Sequence, residues 1–368
     1  MKVKSAVLRE ANKPVTIEDI ELADPKANEV LVKVVATGFC HSDVHVLLGE
    51  IPVPLPIVLG HETSGIVQKV GPGVTRVQVG DPVVCSWMVP CGKCDWCLNG
   101  RGNLCQGNFA AFLGGNLIDG TSRMTDKAGN RVGQAFFISG FSTHTVVPEG
   151  GVIKIPKGIP VEDACFMGCC IPTGWGAIQY VANAKSTSSV AVWGMGAVGL
   201  YAIRGAAMVN ANPIIAVDLE GSKEAIAREF GATHFINSSK DDPVKKIQEI
   251  CGGVDIAVEA IGDPGAIIQC FWALTVGGKI VLPGITPHDQ TTNMPLMLSV
   301  FHERAILPTL YGGIKPTYDI PRLLALQEKG LFKVDKLVSK KMKLEDINDA
   351  TATMLKRQIV GRWIIMMD

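Results

Sequence analysis

The chain has 368 residues, more than one hydrophobic core usually organises, so two domains are expected. It is 47% hydrophobic and 19% charged, with 40 glycines, which excludes a disordered or fibrous protein and fits a well-packed α/β enzyme. Lys+Arg and Asp+Glu balance at 35 each, so no net field draws the chain to nucleic acid or an anionic membrane.

The opening stretch, MKVKSAVLREANKPV, lacks the apolar run and small-residue cleavage site of a secretory signal. The most apolar window, 190–203, holds three glycines and stops at Arg204, too short and too broken to span a bilayer. A soluble, cytoplasmic protein is expected. Eleven cysteines in such a chain suggest metal sites or buried thiols in place of a disulfide framework. The first half reads as short strands between turns: EVLVKVVATGFC, GIVQKVG and GDPVVCSW alternate or are β-branched, with GPG at 71–73 between them. After PTGWGAIQYVANA (172–184) the texture changes. Apolar strands (SSVAVWG, PIIAVD, HFINSS, VDIAVEAIG, KIVLPG) alternate with helical patterns (AVGLYAIRGAAMVN, SKEAIAREFGA, PVKKIQEICGG, GAIIQCFWALTVGG), which predicts a parallel, doubly wound sheet. From about 317 on, two helical patterns and a closing strand, GRWIIMM, add no further βα unit, so this tail is expected to return to the first domain. The boundaries read as 1–172, 173–316 and 317–368.

GMGAVG at 194–199 is a G-x-G-x-x-G between a strand and a helix, and Asp218 ends the next strand, at roughly the 20-residue distance of a dinucleotide fingerprint. Gly194 gives the tight turn, Gly196 the close approach of backbone to a pyrophosphate, and Gly199 the close helix–strand packing. Asp218 accepts from the ribose hydroxyls, and with Glu220 it repels a 2′-phosphate, so NAD is preferred to NADP.

Cys91, Cys94, Cys97 and Cys105 follow C-x2-C-x2-C-x7-C in a loop at 91–105 bent by Gly92, Gly100 and Gly102. Four thiolates fit a closed zinc tetrahedron at about 2.3 Å, or an iron–sulfur cluster, and neither leaves a position for substrate. A second set is dispersed: Cys40 in GFCHSDVH, His61 in LGHETSG and Cys169 in MGCC. A Cys2His set leaves the fourth position of a zinc open. Asp43 is placed to orient the His61 ring, and Glu62 to approach the metal transiently. Spacing alone fits separate buried residues equally well.

In GFCHSDVH, LPIVLGHETSG, the four-cysteine loop, DGTSRMT (119–125), FSTHTVV (141–147), MGCCIPTGWGA, GMGAVG, GGVDIAVEAIG, LEDIND and GRWII, the chain resembles the zinc-dependent medium-chain alcohol dehydrogenases over essentially its whole length. In pattern it is similar to the aryl/allylic, benzyl- or geraniol-type members. The resemblance implies a GroES-like catalytic domain and a Rossmann coenzyme domain. It also implies a catalytic zinc on Cys40, His61 and Cys169 (not Cys170, because the ligand lies four residues before Thr173) and a structural zinc on the cysteine loop. Ser42 matches the hydroxyl that takes the alcohol proton and His45 the end of that relay. Thr173 and Val198 match nicotinamide-side contacts, Ala197, Ile261 and Ile285 further cofactor contacts, Asp218 and Lys223 the ribose contacts, and Arg362 a pyrophosphate clamp. His41 stands where many members place an arginine on the pyrophosphate.

Phe109 and Ile51 replace the arginine and the acid that glutathione-dependent formaldehyde dehydrogenases use. With Trp87, Ala110 and Ile285 they are expected to line an apolar pocket for a medium-sized allylic or aromatic primary alcohol and its aldehyde. The alternatives are a secondary-alcohol or polyol dehydrogenase of the same fold, and an inactive NAD-binding protein. A homodimer or homotetramer is implied, with AILPTLYGG (305–313) as the pairing edge, and no nucleic-acid or membrane partner.

Overall fold

The structure is a computed structural model that describes residues 1–332 and 334–367, and every count refers to these. The chain forms two compact units: Met1–Cys169 with Lys315–Asp368, and Cys170–Ile314.

In the first unit the β-branched strand Glu29–Gly38 is the organiser. Along its length it pairs antiparallel with Glu62–Val70, His144–Pro148 and Arg362–Met366. The sheet continues through Pro82–Cys85 and Val152–Lys154 on one side and Val338–Met342 on the other. The returning tail thus inserts its closing strand beside the first long strand, Ile365 opposite Thr37. Lys2–Leu8, Thr16–Leu22, Met124–Thr125, Arg131–Gln134 and Ile57–Val58 close into a small barrel. Residues of these strands (Val7, Leu8, Ile20, Leu22, Ile57, Val58, Met124, Val132) belong to one buried core. Five strands leave an interior that side chains fill completely, so chemistry falls to the loops.

The second unit is a six-stranded sheet in the order His234–Asn237, Ile214–Asp218, Val190–Trp193, Val254–Glu259, Leu274–Leu282, Ala305–Pro308, with every pairing parallel. Its strands are apolar runs because both faces are covered. Helix starts follow the capping chemistry: Asp242 accepts from the Val244 and Lys245 amides ahead of Pro243, and Asp263 from that of Ala266 ahead of Pro264. One expected element is corrected. The pattern GAIIQCFWALTVGG reads as helix throughout, but the helix is Pro264–Ala273 and Leu274–Gly278 already belong to a strand. Thr275 and Val276 are β-branched, Leu274 pairs with Val254, and Gly277 takes φ 74°. No helix among the described residues is long and apolar enough to cross a membrane.

Candidate active site

Cys40 sits just beyond the strand Glu29–Gly38, immediately before the helix His41–Leu47. Gly38 pairs with Glu62, which sets His61 at the same end of the sheet. Cys169 follows the turn Cys165–Gly168. A Cβ on Gly168 would lie 2.5 Å from the Cys85 carbonyl oxygen, so glycine is what lets this turn press onto its neighbouring strand. Cys40, His61, Glu62 and Cys169 thereby form one buried cluster whose ligand atoms all lie within 4.8 Å of one another.

Asp43 is fully buried beneath it. Its Oδ1 accepts from the Gly60 amide at 3.0 Å and meets His61 Nδ1 at 3.1 Å. A carboxylate only accepts, so Nδ1 carries the proton and Nε2 is left as the ligand atom. A hydrogen bond from Cys169, then Arg362 and His61, hold the Cys40 thiol far below its ordinary range despite burial. Burial opposes charge on His61, yet Asp43 and Cys40 push it well above the ordinary histidine range. Thiolate and imidazolium thus stabilise each other in the cluster, and two sulfurs with an imidazole are the donors zinc takes. Burial likewise raises the Glu62 carboxyl, with Arg362 opposing. Arg362 Nε donates to Glu62 Oε2 at 3.0 Å and its Nη2 to the other oxygen, so the residue matched to the pyrophosphate forms a buried pair with the one matched to the metal.

Ser42 Oγ lies 3.8 Å from Cys40 Sγ. The His45 ring is buried, bonded through Nδ1 to Glu50 and edge-on to His41 at 4.9 Å. The ring of Phe136 lies 4.8 Å from that of His61. Phe112 follows at 5.3 Å from Phe136, Trp87 at 5.9 Å from Phe112, and Phe109 stacks on Phe112 at 6.2 Å. Among the residues expected to line the pocket, Trp87 and Phe109 are thus in this aromatic group, although Phe109, like Ala110, is exposed on the short helix Phe109–Leu113. Ile51 packs half-buried against the barrel core. Phe112 and Phe136 were not foreseen. The available signal was the pair Phe136–Phe137 just before FSTHTVV, but only the structure shows Phe136 at φ 56°, turned against the histidine.

Cys91, Cys94, Cys97 and Cys105 also gather within 4.8 Å. The Cys91 amide donates to Cys105 Sγ at 3.2 Å. Backbone hydrogen bonding, led by the Cys97 amide, pulls the Cys94 thiol down to about 6, while burial pushes Cys97 up to about 12. All four are free thiols. Four sulfurs and no carboxylate or imidazole fit a closed tetrahedral metal site.

In the second unit Gly194 takes φ 91°, and a Cβ on Gly199 would lie 1.8 Å from the Gly194 carbonyl oxygen, so the turn and the helix Ala197–Met208 pack backbone to backbone. Gly196 precedes that helix with no side-chain cap and nothing within 4 Å of a would-be Cβ. The free amides and open space there suit a pyrophosphate. Asp218, buried at its strand end, accepts from the Met195 and Glu220 amides at 2.7 and 2.9 Å and from Lys223 Nζ at 3.0 Å. Val198 lies in the first turn of the helix, and Thr173 is buried in the helix Cys170–Gly176. Ile261 and Ile285 are exposed, at 46% and 41%. The loop of Ile261 is held by a buried carboxylate that sequence reasoning missed: Glu259 accepts from the amides of Ile261 and Gly262 at 2.9 Å, and a Cβ on Gly262 would strike the Ile285 carbonyl oxygen.

A catalytic unit with two clustered ligand sets and a doubly wound nucleotide unit define a class of metal- and dinucleotide-using oxidoreductase. Residues 26–157 match the family described as alcohol dehydrogenase GroES-like domain and residues 197–329 that described as zinc-binding dehydrogenase. An NDMA-dependent alcohol dehydrogenase of Amycolatopsis methanolica is 37% identical over 355 residues, 95% of each chain. The solved benzyl alcohol dehydrogenase of Acinetobacter calcoaceticus is 36% identical with TM-score 0.94, covering 100% of both chains. An alcohol dehydrogenase zinc-binding domain protein of Burkholderia ambifaria is 38% identical with TM-score 0.94, covering 100% of this chain and 99% of that one. The chain belongs to the zinc-dependent medium-chain alcohol dehydrogenases.

Proposed function

We propose that this chain interconverts aromatic or allylic primary alcohols and their aldehydes with NAD, and that it holds one catalytic and one structural zinc. The observation that carries the substrate class is the Phe136 ring, 4.8 Å from that of His61 and backed by Phe112 and Trp87. A flat apolar wall beside the ligand cluster favours flat substrates over polyols, and the similarity to a benzyl alcohol dehydrogenase supports it. When bound, zinc supplies Lewis acidity at the alcohol oxygen and NAD a hydride acceptor. Cys40, His61 and Cys169 hold the metal, and Asp43 keeps the His61 tautomer. Ser42 takes the alcohol proton and His45 passes it toward solvent. The free amides of the helix Ala197–Met208 bind the pyrophosphate, and Asp218 with Lys223 reads the ribose. The thiolate sites need reduced cysteines, which fits a cytoplasmic setting.

The test is kcat/KM with NAD or NADP for benzyl alcohol, geraniol, ethanol, 2-propanol and sorbitol, repeated with NDMA as acceptor, on wild type and Phe136→Ala. Benzyl alcohol or geraniol with NAD should lead, and Phe136→Ala should lower that value about tenfold, the scale of one lost aromatic contact, while changing ethanol little. Preference for sorbitol or 2-propanol overturns the substrate class, and no turnover of any alcohol favours an NAD-binding protein without this activity. Elemental analysis should find two zinc ions per chain; iron with visible colour would reassign the cysteine loop.

A further inference from the structure

His45 is the last residue assigned to the proton path, yet it does not stand alone. It lies in the last turn of the helix His41–Leu47, after which the chain reverses through Gly49 at φ 73°. The reversal is held by the His45 carbonyl itself, which accepts from the amides of both Glu50 (2.9 Å) and Ile51 (3.2 Å). That backbone closure brings the Glu50 carboxylate onto His45 Nδ1. The ring is 9% exposed and the carboxylate 32%, so one end of the pair is enclosed and the other reaches water.

We propose that Glu50 is a positioning residue for His45: its carboxylate holds the Nδ1–H tautomer and balances the imidazolium that forms when Nε2 takes up the alcohol proton. A carboxylate without a proton only accepts, so Nδ1 must donate and Nε2 is the lone pair left for incoming protons. The logic is that of an acid orienting a histidine base, in which the acid itself stays ionised. For each hydride passed to NAD, one proton leaves the alcohol, rests on Nε2 and departs to water, and the ring returns to its starting tautomer. His41, edge-on to the ring, offers no negative charge, so among these neighbours Glu50 alone supplies that balance.

This inference rests on His45 acting as proposed above, and it is tested by two readouts on the zinc-loaded protein. In ¹⁵N-histidine NMR spectra, the His45 signal (identified by its loss in His45→Gln) should show a protonated Nδ1 in wild type and Glu50→Asp, and a mixed or reversed tautomer in Glu50→Gln. In kinetics, Glu50→Gln should lower kcat for benzyl alcohol about tenfold, the scale of one charge-assisted hydrogen bond, with the KM for alcohol and the NAD dissociation constant near wild type. Glu50→Asp should recover most of the rate, and Glu50→Gln should cost nothing further in a His45→Gln background. An unprotonated Nδ1 in wild type overturns the proposal, as does a Glu50→Gln loss that persists without His45. If the wild type oxidises no alcohol, the functional reading fails while the ring spectrum still decides the role of Glu50.

Discussion

His41 opens the helix that follows Cys40, at the position that the family resemblance matches to an arginine on the cofactor pyrophosphate in many members. Burial by the surrounding fold and then the neighbouring His45 hold it below the ordinary histidine range, although part of the ring is open to solvent. A mostly neutral imidazole offers one hydrogen bond where a guanidinium offers a fixed charge and a two-pronged donor. His41→Arg should therefore tighten NAD about tenfold at low salt, less at high salt, and slow its release in proportion. Fluorescence titration and stopped-flow displacement read both, and unchanged values would end the idea of a weak clamp. At this scale the sequence is legible where chemistry demands rare residue types. Cysteine spacing announces the loop at 91–105 as a group, whereas Cys40, His61 and Cys169 read as one only through the family resemblance, and the structure gathers both. Phe136 and Glu50 stay hidden because their significance is directional. A phenylalanine in a loop reads as core until its left-handed backbone turns it onto His61, and a glutamate after a helix reads as solvated surface until a reversal folds it back on His45.

The segment DGTSRMT carries part of the family resemblance without any residue of the site, and its role is mechanical. Arg123 is buried at 3% exposure and grips both oxygens of Glu29, the first residue of the organising strand, while its Nη2 also reaches Asp119 at 2.9 Å. Lys26 holds the same aspartate at 2.8 Å. Against the opposing effect of burial, Lys26 and Arg123 keep Asp119 far below the usual carboxylate range. A depressed carboxyl stabilises the fold above its unfolded value of about 3.9 and loses that contribution as pH falls through the folded one. Removing the arginine strands Glu29 as a buried charge, so Arg123→Met should cost about 3–5 kcal/mol in urea unfolding while zinc content of the folded protein stays at the wild-type level. The cysteine loop is a second such element. Cys94→Ala should lower the Tm and one zinc equivalent while the remaining folded protein still turns over, whereas Cys40→Ala should abolish turnover in a chain with near-wild-type Tm. Equal damage from both would erase the distinction between a closed and an open metal site. Elements were readable from their period, as in the strand PIIAVD and the helix SKEAIAREFGA. The misreading of 274–278 shows the limit: an apolar run does not reveal where a helix yields to a strand, because the partner that decides it, Val254, is distant in sequence.

For the whole molecule, the last strand of the nucleotide sheet matters most. Among the described residues Ala305–Pro308 pairs on one side only, with Leu274–Leu282, and just before it the helix Leu296–Phe301 turns four large apolar side chains outward. Leu296 is 71% exposed, Met297 68%, Val300 76% and Phe301 75%, with Ile306 at 37% and Val276 at 70% on the neighbouring strands. So many large apolar side chains exposed along one short helix and its neighbouring strands are unusual on a monomer, and an open strand edge is a template for pairing. A two-fold arrangement satisfies both at once, since the same edge and the same helix can meet their own copies in a closed, isologous contact. The sequence stretch AILPTLYGG pointed to the edge, but the flanking helix was not legible. Its residues are apolar enough to be core, and only their exposure shows that none of the described residues covers them. Light scattering should give at least a dimer at micromolar concentration. Phe301→Asp combined with Ile306→Lys should shift it to monomer, by placing charges where the copies meet, without loss of the parallel-sheet fold by circular dichroism. A wild-type monomer would refute the assembly, and an unshifted mass in the double variant would move the contact to another face.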